Sequence, residues 1–368
     1  MASRPSFTLG IEEEFQAIDP ETRQLKSHIA QLFIEGQSRI GEHIKRELHT
    51  PIIEITSPIC TSIADARAEM RRLRREIIAI AESNGLRIGA AGTHPITRWQ
   101  DVPISEGAHY ERLVYELQLV ARANLVFGLH VHVAVEDDEA RVAIANGARY
   151  FLPHIFALSV NSPFWSGHPT GFKSFRAKVF ERFPRTGIPG PFNSFGEWED
   201  FVQTLVVTNT IRDAKSIWYD VRIHPHLPTL EYRICDIPMR LDETICLAAI
   251  FQAVTVKLWK LYDQNQGWRT YRAALIAENK QRAARYGLDG KLIDLGKRRE
   301  IDAEPLLHEL AAFLDDTVDE LGSRGEVEYL FTILRERTGA DRQLAVYEQT
   351  RSLPDVVDYI IAETKRGL

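Results

Sequence analysis

The chain has 368 residues, 44% of them hydrophobic, which is enough for a substantial core arranged as one large domain or two closely joined ones. Its 45 Lys and Arg against 51 Asp and Glu give a net charge of -6, which favours solubility and excludes a bulk attraction to nucleic acid. Cys60, Cys235 and Cys246 form no CxxC, no run reaches transmembrane length, and MASRPSFTLG lacks a long apolar stretch, so disulfides, thiolate metal knots and membrane insertion are not expected and a cytoplasmic protein is.

The first strand signal runs from Phe7 to Ala17 and ends in the turn Asp19 to Thr22. In an extended chain, Thr8, Gly10, Glu12 and Glu14 share one face, and Ile11, Glu13 and Phe15 share the other. Aligned carboxylates on an inward face are costly unless a cation lies between them, so a metal site is one reading. An exposed edge strand whose charges discourage aggregation is the other.

A second extended region follows at Glu47 to Thr56, interrupted by Pro51. Glu54 alternates with Ile53 and Ile55; Glu47, seven positions earlier, reaches the same site only if Pro51 breaks the parity. Ser62 to Asn84 reads as a helix started by Ser62 and Asp65 and ended by Gly85. Its Arg71, Arg72, Arg74 and Arg75 read as a solvated face. Leu86 to Thr93 is a further strand candidate, and helical periodicity at 106 to 126 and 138 to 158 flanks the extended run GLHVHVAV, residues 128 to 135. Residues 162 to 199 hold ten Pro and Gly among aromatics and bases, as a functional loop would. A helix near 196 to 213 precedes strand candidates within 218 to 237, and helices are expected at 242 to 263, 267 to 286, 301 to 322, 324 to 337 and 354 to 365. The pattern argues for an α+β fold with an antiparallel sheet, polar on its inner face and backed by helices.

His130 and His132 project from one side of their strand, as Glu231 and Arg233 do from theirs. Collecting Glu12, Glu14, Glu47, Glu54, His130 and Glu231 gives an oxygen-rich set that suits Mg2+ or Mn2+; a structural salt-bridge cluster is the alternative. Several hard cations in one cleft serve phosphoryl transfer from ATP. Arg176, Lys178, Arg182 and Arg185 are candidate phosphate or carboxylate contacts, and Arg233, already on the polar strand face, is a stronger one. Cys235, in an apolar segment, reads as packing. The chain carries no P-loop, GxGxxG or HExxH pattern, so a nucleotide needs another architecture.

Taken together, GIEEEF, ELHTPIIEITSP, GLHVHVAV, LSVNSPFWSG, TLEYRICD and AENKQRAARYGLDG resemble the glutamate-cysteine ligase family 2, the bacterial carboxylate-amine ligases. The resemblance implies a glutamine-synthetase-like curved antiparallel sheet forming a funnel for ATP and divalent ions. It implies one catalytic domain, 1 to 368, with an active-site loop at 162 to 199 and a mainly helical part at 242 to 368. Glu12, Glu14, Glu47, Glu54, His130 and Glu231 are then the metal and phosphate site. Arg233, with Glu54 a catalytic residue, lies beside an acyl phosphate, and His132 contacts substrate or phosphate. Glu12, His130, His132, Arg176, Lys178 and Arg233 are the expected nucleotide contacts. The implied reaction activates a carboxylate with ATP and passes it to an amine, in the family's case glutamate and cysteine. A homodimer is expected. A metal-dependent hydrolase and a noncatalytic nucleotide or metabolite-binding protein are the competing readings.

Overall fold

The protein is described by a computed structural model covering residues 4 to 27 and 29 to 368. Its centre is a seven-stranded sheet built from β1 (Leu9–Ile18), β2 (Ile44–Arg46), β3 (Ile52–Thr56), β4 (Arg87–Gly89) and β5 (Leu129–Ala134), together with two later strands at Val221–Ile223 and Thr229–Tyr232. All its neighbouring pairs are antiparallel. The N-terminal strand β1 lies in the middle, with β3 on one side and β5 and β4 on the other.

Alternation in β1 sorts its side chains: Ile11, Glu13 and Phe15 are buried beneath the sheet, while Glu12 and Glu14 point to the opposite, half-open face. Glu13 is fully buried and paired with Arg74 of α2 (Ile63–Ser83), whose Nε and Nη2 donate at 2.8 and 2.5 Å. Arg74 is therefore no part of a solvated face. It closes a buried network with Thr244 and the carbonyls of Pro238 and Met239, while Arg72 and Arg75 remain exposed. A Ser62 and Asp65 capping box starts α2 as the sequence leads one to expect.

Before α2, residues 30 to 40 form α1 (Ala30–Ile40), which no sequence signal had marked. The periodic stretch 106 to 126 divides into α3 (Ala108–Leu117) and α4 (Leu119–Arg122), because Gln118 takes a left-handed φ of 49°. The stretch 138 to 158 likewise divides into α5 (Asp138–Ala148) and α6 (Leu152–Ser159), with Pro153 in the first turn of α6. Residues 162 to 199 carry short elements: β6 (Phe164–Trp165) with β7 (His168–Pro169), α7 (Phe175–Phe180), β8 (Thr186–Gly187), and the first turns of α8 (Phe195–Val207). Beyond them, β9 (Trp218–Tyr219) pairs in parallel with β8, and β10 (Val221–Ile223) and β11 (Thr229–Tyr232) complete the main sheet.

The rest is largely helical. α9 (Leu241–Asp263) is the core helix, packed against α2, α5 and β5. By length and composition it is the one described helix that could cross a bilayer, but 83% of its apolar window is buried inside the protein. Then come α10 (Ala273–Tyr286), the hairpin β12 (Lys291–Asp294) and β13 (Arg299–Asp302), α11 (Ala303–Phe313), α12 (Asp315–Leu321), α13 (Arg324–Glu336), α14 (Gly339–Thr350) and α15 (Leu353–Lys365). The hairpin and α14 are additional to the expected helices, and 301 to 322 is two helices that meet at Leu314.

Candidate active site

The polar face of the sheet floors a cleft of about 690 Å³. Strand register decides which side chains meet there. Across four strands, Arg222, Glu231, His132 and Gly10 occupy one row; Lys45, Glu54 and Glu14 form another, and Glu12 lies opposite His130. Glu47 comes from the turn between β2 and β3, so the chain does leave strand geometry there and brings Glu47 to Glu54.

Two ligand groups result. Oxygen atoms of Glu14, Glu47 and Glu54 lie within 4.8 Å of one another, as do ligand atoms of Glu12, His132 and Glu231. His130 belongs to neither group, and its Nδ1 is 3.1 Å from Glu12 Oε2. His132 is the imidazole with an open nitrogen: its Nδ1 meets Thr229 Oγ1 at 3.2 Å and its Nε2 has no hydrogen-bond partner among the described residues.

The two groups differ electrostatically. Burial, partly offset by Arg176 and reinforced by Glu54, pushes Glu14 up to about 7. Burial and the neighbouring Glu54 and Glu14 carboxylates push Glu47 well above the usual carboxylate range, and burial with the Glu12 charge pushes Glu54 up as well. Lys45 Nζ, 3.3 Å from Glu54, offsets only part of this crowding. Three carboxylates that resist ionising together form a donor set for a hard divalent cation, so the residues fit Mg2+ or Mn2+.

In the second group the charges are balanced. Burial opposes ionisation of Glu231, yet Arg233 and Arg222 hold it below the usual range. Arg222 Nε donates to Glu231 Oε2 at 2.6 Å, and Arg233 donates to Oε1. Burial also works against Glu12, but the His130 and His132 imidazoles beside it keep it well below its ordinary value. His132 is raised because Glu12 and Glu231 outweigh its burial, whereas burial and Arg233 push His130 down to about 4.

Arg176 reaches the floor of the cleft from α7, with Nη1 and Nη2 3.3 Å from the carbonyl oxygens of Ile234 and Arg233. Lys178 does not reach it. Two residues along the same short helix, Lys178 turns to α10 and binds Gln281 and Glu181, each at 2.5 Å. Arg182 and Arg185 are spent on backbone carbonyls of Ala123 and Ser216. Cys235 is buried, and burial pushes its thiol up to about 12, which excludes a thiolate nucleophile. Lys45 and Arg222 were not singled out from sequence, although Ile44-Lys45-Arg46 and Val221-Arg222-Ile223 show the same strand alternation.

A model of Glutamate-cysteine ligase family 2(GCS2) matches residues 8–358. A relative in Solibacter usitatus named "Putative glutamate-cysteine ligase 2" is 51% identical over 99% of this chain and 95% of its own length, and one of the same name in Roseiflexus castenholzii is 52% identical over 98% and 96%. Among solved structures, a bifunctional glutathione synthetase from Pasteurella multocida superposes with TM-score 0.71 at 15% identity, covering 97% of this chain and 52% of that one. A glutamate-cysteine ligase from Francisella tularensis, in complex with AMP, gives 0.69 at 12% identity over 98% and 89%. The fold is α+β and is shared with those two solved proteins, and the protein is an ATP-dependent carboxylate-amine ligase acting on small carboxylate and amine substrates. It belongs to the glutamate-cysteine ligase family 2. With that assignment the hydrolase and binding-protein readings fall away.

Proposed function

We propose that this ligase joins the γ-carboxylate of glutamate to the amine of cysteine, releasing ADP and phosphate. The observation that carries the site assignment is the pairing of a crowded carboxylate group, Glu14, Glu47 and Glu54, with a guanidinium group, Arg222 and Arg233, on one sheet face. The substrate assignment rests on the names of the relatives.

In this reading Glu14, Glu47 and Glu54 would hold one divalent cation, Mg2+ or Mn2+, and Glu12, His132 and Glu231 would hold another. Bound cations supply charge neutralisation of the phosphates and of the phosphoryl group in flight. The substrate carboxylate attacks the γ-phosphorus of ATP, the bond to the ADP oxygen breaks, and an acyl phosphate forms. Arg233, half-buried just past the end of β11, stabilises the negative charge on the transferred group. The amine then attacks the acyl carbon, loses a proton and expels phosphate. His132 Nε2, unpartnered beside Glu12, is placed to contact phosphate or substrate. Arg176 supports the nucleotide from beneath the floor, and His130 orients Glu12. Glu231 has a second task, since both its oxygens already hold arginines, and as a ligand it would share those oxygens with Arg222 and Arg233.

We read the sheet as curved into a funnel, the segment 162 to 199 as the cover that excludes water from the acyl phosphate, and 1 to 368 as one catalytic domain. A homodimer in the cytoplasm completes the proposal; three free, buried cysteines suit a reducing compartment.

The test is an ADP-release screen with Mg2+ or Mn2+ over pooled carboxylates and amines that include glutamate and cysteine, with product mass recorded. One γ-glutamylcysteine per ADP is the expected result. Amide formed only from other pairs overturns the substrate assignment, and amide formed without ATP overturns the mechanism. Light scattering tests the dimer.

A further inference from the structure

Gly128 touches two parts of the carboxylate site at once. Its N–H donates to Glu14 Oε2 at 2.5 Å, and a Cβ at this position would stand 2.4 Å from Arg176 Nη2 and 3.2 Å from His130 Nε2. Its φ lies outside the left-handed range, so the requirement for glycine is one of space. The guanidinium therefore lies close against the backbone that fixes Glu14.

Arg176 is held at both ends by the same strand continuation. Its backbone N–H donates to Ser162 Oγ at 3.1 Å, and Ser162 Oγ in turn donates to Asp236 at 2.7 Å. Asp236, fully buried, also accepts from Ser174 Oγ and from the Asn161 N–H, both at 2.8 Å, and bridges Gly128 directly. The guanidinium meets the carbonyls of Arg233 and Ile234 on that strand.

We infer that Gly128 and Arg176 act as one positioning device that orients Glu14 as a divalent-cation ligand. The inference rests on the reading of Glu14 as a metal ligand. Arg176 is a positioning residue here, acting through the Gly128 backbone and Glu14. Outer groups that orient a metal ligand typically change affinity by about 10- to 100-fold when removed.

A double-mutant cycle on the full chain, read by Mn2+ titration with electron paramagnetic resonance of the free ion, tests this. Gly128→Ala and Arg176→Met each weaken Mn2+ binding by about 10-fold. Together they weaken it no more than either alone, because Met leaves room for the alanine methyl. Independent effects that multiply in the double variant, or unchanged affinity in either single variant, overturn the inference. If Gly128→Ala does not fold, Arg176→Met and Arg176→Lys decide it at matched melting temperatures. Loss in Met with partial recovery in Lys supports the device, and a Met variant binding like wild type overturns it. Glu14→Gln separates the two readings: normal Mn2+ binding by this variant sinks the metal assignment itself, whereas lost binding alongside a multiplicative cycle sinks only the positioning device.

Discussion

Glu14 stands directly opposite Glu54 in the β1 and β3 register, so two carboxylates occupy adjacent places on the floor of the cleft. Like charges paired across strands destabilise a sheet, and burial enlarges the cost. Glu14→Gln should therefore leave the metal-free protein more stable by about 0.5 kcal/mol. The wild type should gain melting temperature with Mn2+, and the variant should gain less, since only the Glu12, His132 and Glu231 group remains. Scanning fluorimetry with EDTA and with Mn2+ checks both, and a variant that shifts with Mn2+ as far as the wild type refutes the role.

The proton balance of this group gives a second prediction. Glu14 is raised to about 7, and Glu47 and Glu54 are raised as well, so the folded state binds more protons than the unfolded one above the ordinary carboxylate range. Their contribution to stability is present at low pH and is lost as pH rises through the folded values. Buried histidines with lowered values, such as His94 and His154, titrate with the opposite sign, so melting temperature alone mixes the two. Cation binding separates the site from those buried histidines: calorimetry in buffers of different ionisation enthalpy should show proton release, from the carboxylates and from His132, at pH 6.5 that falls by pH 8.5. Release that does not change with pH counts against the crowded-carboxylate account.

Glu13 and Arg74 should matter for stability and not for chemistry. Both are fully buried, and removing one leaves an uncompensated charge, so Arg74→Met should cost about 3 to 5 kcal/mol. Urea unfolding measures the loss, while the KM values of the remaining folded enzyme should be unchanged.

Arg233 and Lys178 should separate cleanly. Arg233→Lys keeps the charge but loses the planar fork, and kcat should fall by about 100-fold with a smaller change in KM for ATP. Lys178→Ala, on the side facing Gln281, should remain within about two-fold of wild type, since surface ion pairs contribute little. Steady-state kinetics decide both, and equal losses would contradict the separation.

Much of the site was legible because a strand sorts its residues by parity. That rule alone put Glu12 with Glu14, His130 with His132, and Glu54 opposite its isoleucines. Parity cannot say which residues of different strands meet. Hence His132, and not His130, joins Glu12 and Glu231, a consequence of a register fixed by pairing partners over a hundred residues away. Arg74 was misread for a related reason: an arginine on a helix looks solvated until its buried partner, here Glu13 on β1, is known. Lys178 failed because two helical positions turn a side chain away, so a base beside Arg176 in sequence faces another helix. The fold class was accessible from alternation, but α1, α14 and the β12–β13 hairpin carried no signal strong enough to separate them from connecting chain.

The central position of β1 has a consequence for synthesis. This strand is made before every other strand of the sheet, yet its neighbour β5 begins at Leu129 and the next strand, β11, at Thr229. Until β5 has been made, the β1 edge from Leu9 to Glu13 has no native mate there, the condition under which nascent chains aggregate. Three consecutive glutamates repel one another and any copy of themselves through that interval. Glu12 and Glu14, the two proposed as cation ligands, thus have an earlier task in keeping the first strand of the sheet from self-association.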